Sequence, residues 1–170
     1  MILTDRDEVI IDRIALPRAS RAVWFGRGLL QRIEDAQVRT ALSRGDCPTA
    51  PTCLVVVGER SSKAMPVANA IGRLGRMFAG AETFRVLGRA DHSAIRSGVN
   101  AARRAQVDLI IAVGGGTTLD VGKAVSALAK HDSAEDVEGF QTGCHRVDPS
   151  KALPWIAAPT TSGTGAESTN

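Results

Sequence analysis

The sequence predicts an α/β fold in which helices cover both faces of a parallel β-sheet. Two largely apolar runs, CLVVV at 53–57 and DLIIAV at 108–113, are typical of strands buried on both sides. Amphipathic segments of helical length separate the apolar runs, so strand and helix alternate along the chain. Right-handed crossovers between such strands bring all their carboxyl ends to one edge of the sheet.

Each predicted element has a local reason in the sequence. Pro66 is tolerated if it lies in the first turn of a helix, and Asp91 is a suitable N-cap for the next one. A loop of about 20 residues, with Gly139, Gly143 and Pro149, separates the last helix from the last strand. The predicted order is strand 22–25, helix 29–44, strand 53–57, helix 63–79, strand 82–87, helix 92–105, strand 108–113, helix 117–130 and strand 154–158.

Composition indicates one globular domain without a nucleic-acid or membrane partner. The 170 residues are 44% apolar and 23% charged, and the net charge of +3 is spread along the chain without a basic cluster. Only 4% of the residues are aromatic, which argues against base-stacking surfaces. No apolar run approaches the length of a membrane span, and the acidic N-terminal segment does not resemble a signal peptide, so we expect a cytoplasmic protein.

Three chemically distinctive loops follow predicted strands and therefore fall at the same edge of the sheet. Glu59 follows the run 53–57, three consecutive glycines follow 108–113, and a Thr-rich loop at 159–167 follows the last strand. Ligands of open parallel sheets bind at this edge. The sequence therefore predicts a ligand site where these loops converge.

The segment GGGTTLDVGK at 114–123 predicts a pyrophosphate cradle. Gly114, Gly115 and Gly116 leave the backbone bare, and the helix that follows directs free N–H groups and its dipole at the same place. Thr117 and Thr118 add hydroxyl groups. A tight strand-to-helix turn explains the glycines equally simply. Two standard phosphate motifs do not fit: a P-loop needs glycine where Thr117 stands, and G-x-G-x-x-G needs glycine where Leu119 stands.

Charged residues at the same edge have both a functional and an ordinary interpretation. Asp120 lies one helical turn from Lys123, either as a surface ion pair or close to the ligand. Glu59 suits the ribose hydroxyls of NAD, whereas its neighbour Arg60 favours the 2′-phosphate of NADP, and both could be solvated charges. The hydroxyls of the loop at 159–167 suit a nucleotide or a solvated turn.

Cysteine and histidine spacing argues against a disulfide framework or a metal site within the chain. Cys47, Cys53 and Cys144 are odd in number and lack CxxC spacing, so we expect reduced, inert thiols. The three histidines, at 92, 131 and 145, have no spacing typical of metal ligands.

The chain resembles the iron-containing alcohol dehydrogenases. GGGTTLDVGKA is similar to their GGGS-x-x-D-x-x-K motif, LPWIAAPTTSGTGAEST to their PTT-x-GTGSE-x-T segment, and PRASRAVWFGRG to their N-terminal segment. The segments occur in the family's order, with threonine for serine at Thr117 and alanine for serine at Ala166.

The resemblance implies a Rossmann-like, dehydroquinate synthase-like N-terminal domain over residues 1–170 that binds NAD or NADP. It implies that Gly114, Gly115, Gly116 and Thr117 bind the pyrophosphate, that Thr160, Thr161 and Thr164 surround the nucleotide, and that Glu59 occupies the place of an acid that selects NAD. It also implies an oxidoreductase that interconverts a small alcohol and an aldehyde or ketone. Family iron is held by one Asp and three His in a C-terminal helical domain, which we expect after Asn170, so this chain alone should be inactive.

Two alternatives remain at this stage. GGGTTLD also resembles the glycine loop of glycerol dehydrogenases within the wider dehydroquinate synthase-like group, although the Thr-rich segment fits them less well. The chain could instead be a non-catalytic dinucleotide-binding module. A surface left uncovered by a missing domain would favour self-association, which makes a homo-oligomer a hypothesis.

Overall fold

The computed structural model describes residues 9–11, 23–25 and 51–166. Strands β1 (Val9–Ile11) and β2 (Val23–Phe25) form an antiparallel pair, and β2 confirms three of the four residues predicted as the first strand. The remaining elements are β3 (Thr52–Gly58), α1 (Glu59–Ser62), α2 (Met65–Met77), β4 (Gly80–Val86), α3 (His92–Arg104), β5 (Leu109–Gly114), α4 (Gly116–Leu128), α5 (Val137–Thr142) and β6 (Trp155–Pro159).

Four strands form one parallel sheet in the order β4-β3-β5-β6. The chain leaves β3 for its neighbour β4 and then crosses back past β3 to form β5. The connections therefore diverge between β3 and β5, which makes their carboxyl ends the switch point at which open α/β sheets bind ligands. This arrangement confirms the predicted α/β class and the common edge of the strand ends.

Apolar side chains cover both faces of the sheet, as the two apolar runs predict. On one face, Leu54 and Val56 of β3 pack with residues of α3 and α4 such as Val99 and Val125. On the other face, Val55 and Val57 alternate with them and pack against α2 through Val67, Leu74 and their neighbours. The central strands β3 and β5 therefore lie between two helical layers, and their carboxyl ends have a rigid support.

The start of α3 depends on a side-chain cap. Asp91 accepts a hydrogen bond from the backbone N–H of Ala94 at 2.8 Å, as predicted for an N-cap. We expect Asp91→Ala to lower the free energy of unfolding by about 1 kcal/mol, because the N–H group loses its acceptor. Asp91→Asn retains an acceptor oxygen and should lower the free energy of unfolding by only a few tenths of a kcal/mol. Urea unfolding followed by circular dichroism compares the two, and equal losses would contradict the capping role.

Two short helices were not predicted from the sequence. The region predicted as a loop of about 20 residues contains α5. Its N-cap is Asp136, whose carboxylate accepts from the N–H of Gly139, and its C-cap is Gly143 with φ 82°. A 3-10 turn follows at Pro149–Lys151. Periodicity missed α5 because a helix of six residues is too short to display it. Helix α1 was not predicted, and α2 is two residues shorter at each end than the predicted helix 63–79. The predicted helix 29–44 lies outside the described residues.

Within the described part of the chain, no helix combines the length and apolar character needed to cross a bilayer.

Candidate functional site

The three distinctive loops lie side by side at the carboxyl edge of the sheet, as predicted. Val57 pairs with Val113, and Gly114 pairs with Pro159, so the strand ends are in register. Beyond them come α1, the glycine loop and the Thr-rich loop. The site therefore consists of the first residues after β3, β5 and β6, supported by the two buried strands.

Two glycines allow the first turn of α4 to sit directly against the strand ends. A Cβ atom at Gly58 would lie 2.7 Å from Thr118 Oγ1, and one at Gly114 would lie 2.6 Å from the same oxygen. Thr118 is only 4% exposed, and its hydroxyl makes no hydrogen bond to any described residue. The sequence predicts a ligand-facing hydroxyl at Thr118 as well as at Thr117. The structure separates them, because Thr117 is exposed and Thr118 is packed between the two glycines.

The amino end of α4 has backbone donors for which no described residue provides an acceptor. Gly115 is the N-cap and has no side-chain capping bond, and the first turn contains no acidic residue. The backbone N–H groups of Gly115, Gly116 and Thr117 donate no hydrogen bond within residues 51–166. N–H groups without an acceptor and the positive end of a helix dipole are the features that anion sites at helix N-termini share.

The Thr-rich loop lies over the glycine loop. The N–H of Thr160 donates to Gly114 O at 2.9 Å, which fixes the start of the loop. A Cβ at Gly115 would come within 3.2 Å of Thr161 Oγ1, and one at Gly116 within 3.0 Å of Thr164 Cγ2. The three predicted threonines and the three predicted glycines are therefore in close proximity.

Hydroxyl groups connect the Thr-rich loop to the end of β3. Ser61 Oγ and Thr160 Oγ1 are 3.3 Å apart, across 99 residues of sequence. Ser61 was not among the predicted site residues, although a hydroxyl residue just after a buried strand is a usable signal. Neighbouring Glu59 lies at the start of α1, where its Oε1 accepts from Lys63 Nζ at 3.1 Å.

Lys123 fastens the far end of the Thr-rich loop to α4. Its Nζ donates to Ala166 O at 3.0 Å and lies 3.9 Å from Asp120 Oδ1, with the Lys123 side chain only 24% exposed. The Asp120 carboxylate is half exposed on the same helical face. The predicted ion pair therefore exists, but Lys123 makes its shorter contact with the loop.

Cysteine and histidine positions add no ligand set within the described residues. Burial in β3 raises the pKa of the Cys53 thiol to about 12, so this thiol stays protonated at neutral pH. Cys144 is free and exposed, and Cys47 lies outside the described residues. Among residues that the structure describes, no group of three or more His, Cys, Asp or Glu could hold a metal ion.

The amino-acid sequence matches a known protein family. A model of the family described as iron-containing alcohol dehydrogenase matches residues 20–170. The chain belongs to the iron-containing alcohol dehydrogenase family. The resemblance drawn from the motifs is thereby confirmed.

Individual relatives within the alcohol dehydrogenase family match different lengths of the chain. Long-chain-alcohol dehydrogenase 1 of Geobacillus thermodenitrificans is 46% identical over 69 residues, which are 41% of this chain and 17% of that protein. Lactaldehyde reductase of Escherichia coli is 27% identical over 153 residues, covering 88% of this chain and 37% of the relative. The chain therefore spans well under half the length of either dehydrogenase.

A solved structure shares the fold. NADH-dependent butanol dehydrogenase A from Thermotoga maritima superimposes with a TM-score of 0.61 at 26% identity, over 83% of this chain and 33% of that one. This similarity supports the Rossmann-like class predicted for this member of the alcohol dehydrogenase family.

Proposed function

We propose that this chain forms the dinucleotide-binding domain of an oxidoreductase that interconverts a small alcohol and an aldehyde or ketone with NAD or NADP. The observation that carries the proposal is the set of three N–H groups at the amino end of α4 that donate to no described residue, in a turn that Gly58 and Gly114 allow to sit against the strand ends. These donors lie at the switch point of the sheet and match the oxygens of a pyrophosphate.

In this proposal, each of the three loops binds a different part of the dinucleotide. Gly115, Gly116 and Thr117 would hold the pyrophosphate by their backbone N–H groups and the exposed Thr117 hydroxyl, with Gly114 beside them at the end of β5. Thr160, Thr161 and Thr164 lie within reach of the glycines and would enclose the nucleotide. Glu59 would lie beside the adenosine ribose, since it follows the central strand β3.

Asp120 and Lys123 have complementary parts in the proposal. The carboxylate of Asp120, one turn into α4, would face the bound dinucleotide. Lys123 would keep the Thr-rich loop in place through Ala166 O. When bound, the nicotinamide supplies the hydride that is exchanged with the substrate carbon. The protein residues bind the dinucleotide, orient it and cover its phosphates.

We propose that the iron of the family binds to residues other than those that the structure describes. These described residues contain no group of metal ligands, so no reaction step is assigned to a metal here. We propose that the ligands belong to a second, helical domain beyond Asn170, and that residues 1–170 bind cofactor without turnover. The relatives support this division, because the chain covers only 37% of lactaldehyde reductase and 33% of the butanol dehydrogenase.

The relatives support a proposal for the substrate class. The similar proteins include a long-chain-alcohol dehydrogenase, a lactaldehyde reductase and a sulfoacetaldehyde reductase, the last 46% identical over 63 residues. We therefore propose a small alcohol or aldehyde as the substrate of the complete enzyme. A purely non-catalytic module remains the second candidate, and coding sequence beyond Asn170 that contains the histidine ligands would exclude it.

A fluorescence titration tests the binding half of the proposal. We expect the fluorescence of NADH and of NADPH to change saturably when the 170-residue chain is added, and ADP-ribose to reverse the change. Because ADP-ribose retains the pyrophosphate and lacks nicotinamide, its competition assigns binding to the phosphate cradle. Absence of saturation up to millimolar concentrations of both dinucleotides would contradict the proposal.

A further inference from the structure

We propose that the nucleotide site favours a dinucleotide with a 2′-phosphate, NADP(H), and that Arg85 and Arg60 bind this phosphate. The inference rests on the proposed function, since it specifies the cofactor class for the same site. It follows from a pocket and from the distribution of charge beside the end of β3.

An open pocket of about 530 Å³ lies between α1, α2 and the edge strand β4. Its lining combines three polar side chains with two apolar ones: Ser62, Ala68, Ile71, Thr83 and Arg85. In the sheet, Arg85 pairs with Val57, two residues before Glu59. The pocket therefore adjoins the position that the ribose takes in the proposed function.

Arg85 is exposed towards this pocket and is available for an anion. Its neighbour Val86 is buried with residues of α3 and α4, so alternation along β4 places Arg85 on the face of the sheet that carries α2. Within residues 51–166, the guanidinium has no hydrogen bond and no ion pair. A free guanidinium fork binds phosphate oxygens in a bidentate manner.

The acid that would oppose a 2′-phosphate is neutralised locally. Glu59 Oε1 lies 3.1 Å from Lys63 Nζ, four residues later, so the two charges cancel. Arg60 is exposed beside Glu59 and has no ion pair to any described side chain. Counting Glu59 as −1 and Arg60, Lys63 and Arg85 as +1 each leaves a local charge of +2, which favours the phosphorylated ribose.

Competitive titration of NADH and NADPH with the 170-residue chain tests the preference. We expect the Kd of NADPH to be at least about tenfold lower than that of NADH, and 2′,5′-ADP to compete correspondingly better than 5′-ADP. An equal or lower Kd for NADH would overturn the inference while leaving the proposed function standing. If neither dinucleotide bound, the proposed function would fail and this inference would fail with it.

Variants of Arg85 test where the 2′-phosphate of NADPH binds. Arg85→Gln should raise the Kd of NADPH about tenfold and leave that of NADH within about twofold, because only NADPH has the 2′-phosphate. Arg85→Lys should recover part of the loss. Arg73→Gln, an exposed arginine further along α2, is the matched control and should change neither Kd. Equal effects of Arg85→Gln on both cofactors would overturn the assignment, and unchanged melting temperatures would show that each variant is folded.

A Lys63 variant tests separately whether the Glu59–Lys63 ion pair affects the cofactor preference. Lys63→Gln leaves the Glu59 carboxylate uncompensated, so we expect the preference for NADPH over NADH to fall about threefold or more. An unchanged ratio of the two Kd values would contradict the role assigned to the Glu59–Lys63 pair.

Discussion

Replacing Thr117 by glutamate is expected to weaken dinucleotide binding by roughly 30- to 150-fold without destabilising the protein. Thr117 is exposed in the first turn of α4, and its backbone N–H is one of the three donors that bond to no residue of the described part of the chain. A carboxylate about 5 Å from a pyrophosphate charge, at an effective dielectric constant of about 20 to 40, costs about 2–3 kcal/mol. The same carboxylate interacts favourably with the helix dipole, so the melting temperature should stay the same or rise.

Thr117→Gln is the matched control for this experiment. It has the same size as the glutamate variant and also lacks the hydroxyl, so the difference between the two variants isolates the charge. Titration of NADH and NADPH at low and high salt measures this difference, which screening should reduce. Equal affinities of the two variants at low salt would show that the phosphates bind elsewhere.

Gly114→Ala and Gly58→Ala are each expected to lower the free energy of unfolding by about 1–3 kcal/mol through overpacking. A Cβ at Gly114 would meet Thr118 Oγ1 at 2.6 Å and Thr118 Cβ at 2.7 Å, whereas a Cβ at Gly58 would meet Oγ1 at 2.7 Å and Cβ only at 3.9 Å. Thr118 has little freedom to avoid either contact, because it is buried in the first turn of α4.

The two glycines should differ when Thr118→Ala is added. Removal of Oγ1 relieves the contact at Gly58, so Gly58→Ala should then cost less than about 0.5 kcal/mol. The contact at Gly114 persists, since the Cβ at position 118 remains, and the loss there should stay near its original value. Urea unfolding of the four-member cycle for each glycine gives these coupling energies, and similar coupling at both glycines would refute the packing described here.

Much of the fold followed from local patterns in the sequence. Residues 53–57 in β3 and 109–113 in β5 are fully buried, and Asp91 caps α3 at its predicted place. Such features depend on residues close in sequence, where alternation, capping and glycine content constrain the backbone directly. The helix α5 was not predicted because its six residues show no clear hydrophobic period. Its only sequence signals are the two capping residues, Asp136 and Gly143.

The sequence by itself determined that the glycine loop, the Thr-rich loop and Glu59 would meet at one edge of a parallel sheet, because chain order and crossover handedness require it. Only the tertiary structure decided which side chains face the site. It buried Thr118 between Gly58 and Gly114, brought Ser61 to Thr160, and placed Arg85 beside the end of β3. Those contacts depend on strand order and register across tens of residues, and no local pattern encodes them.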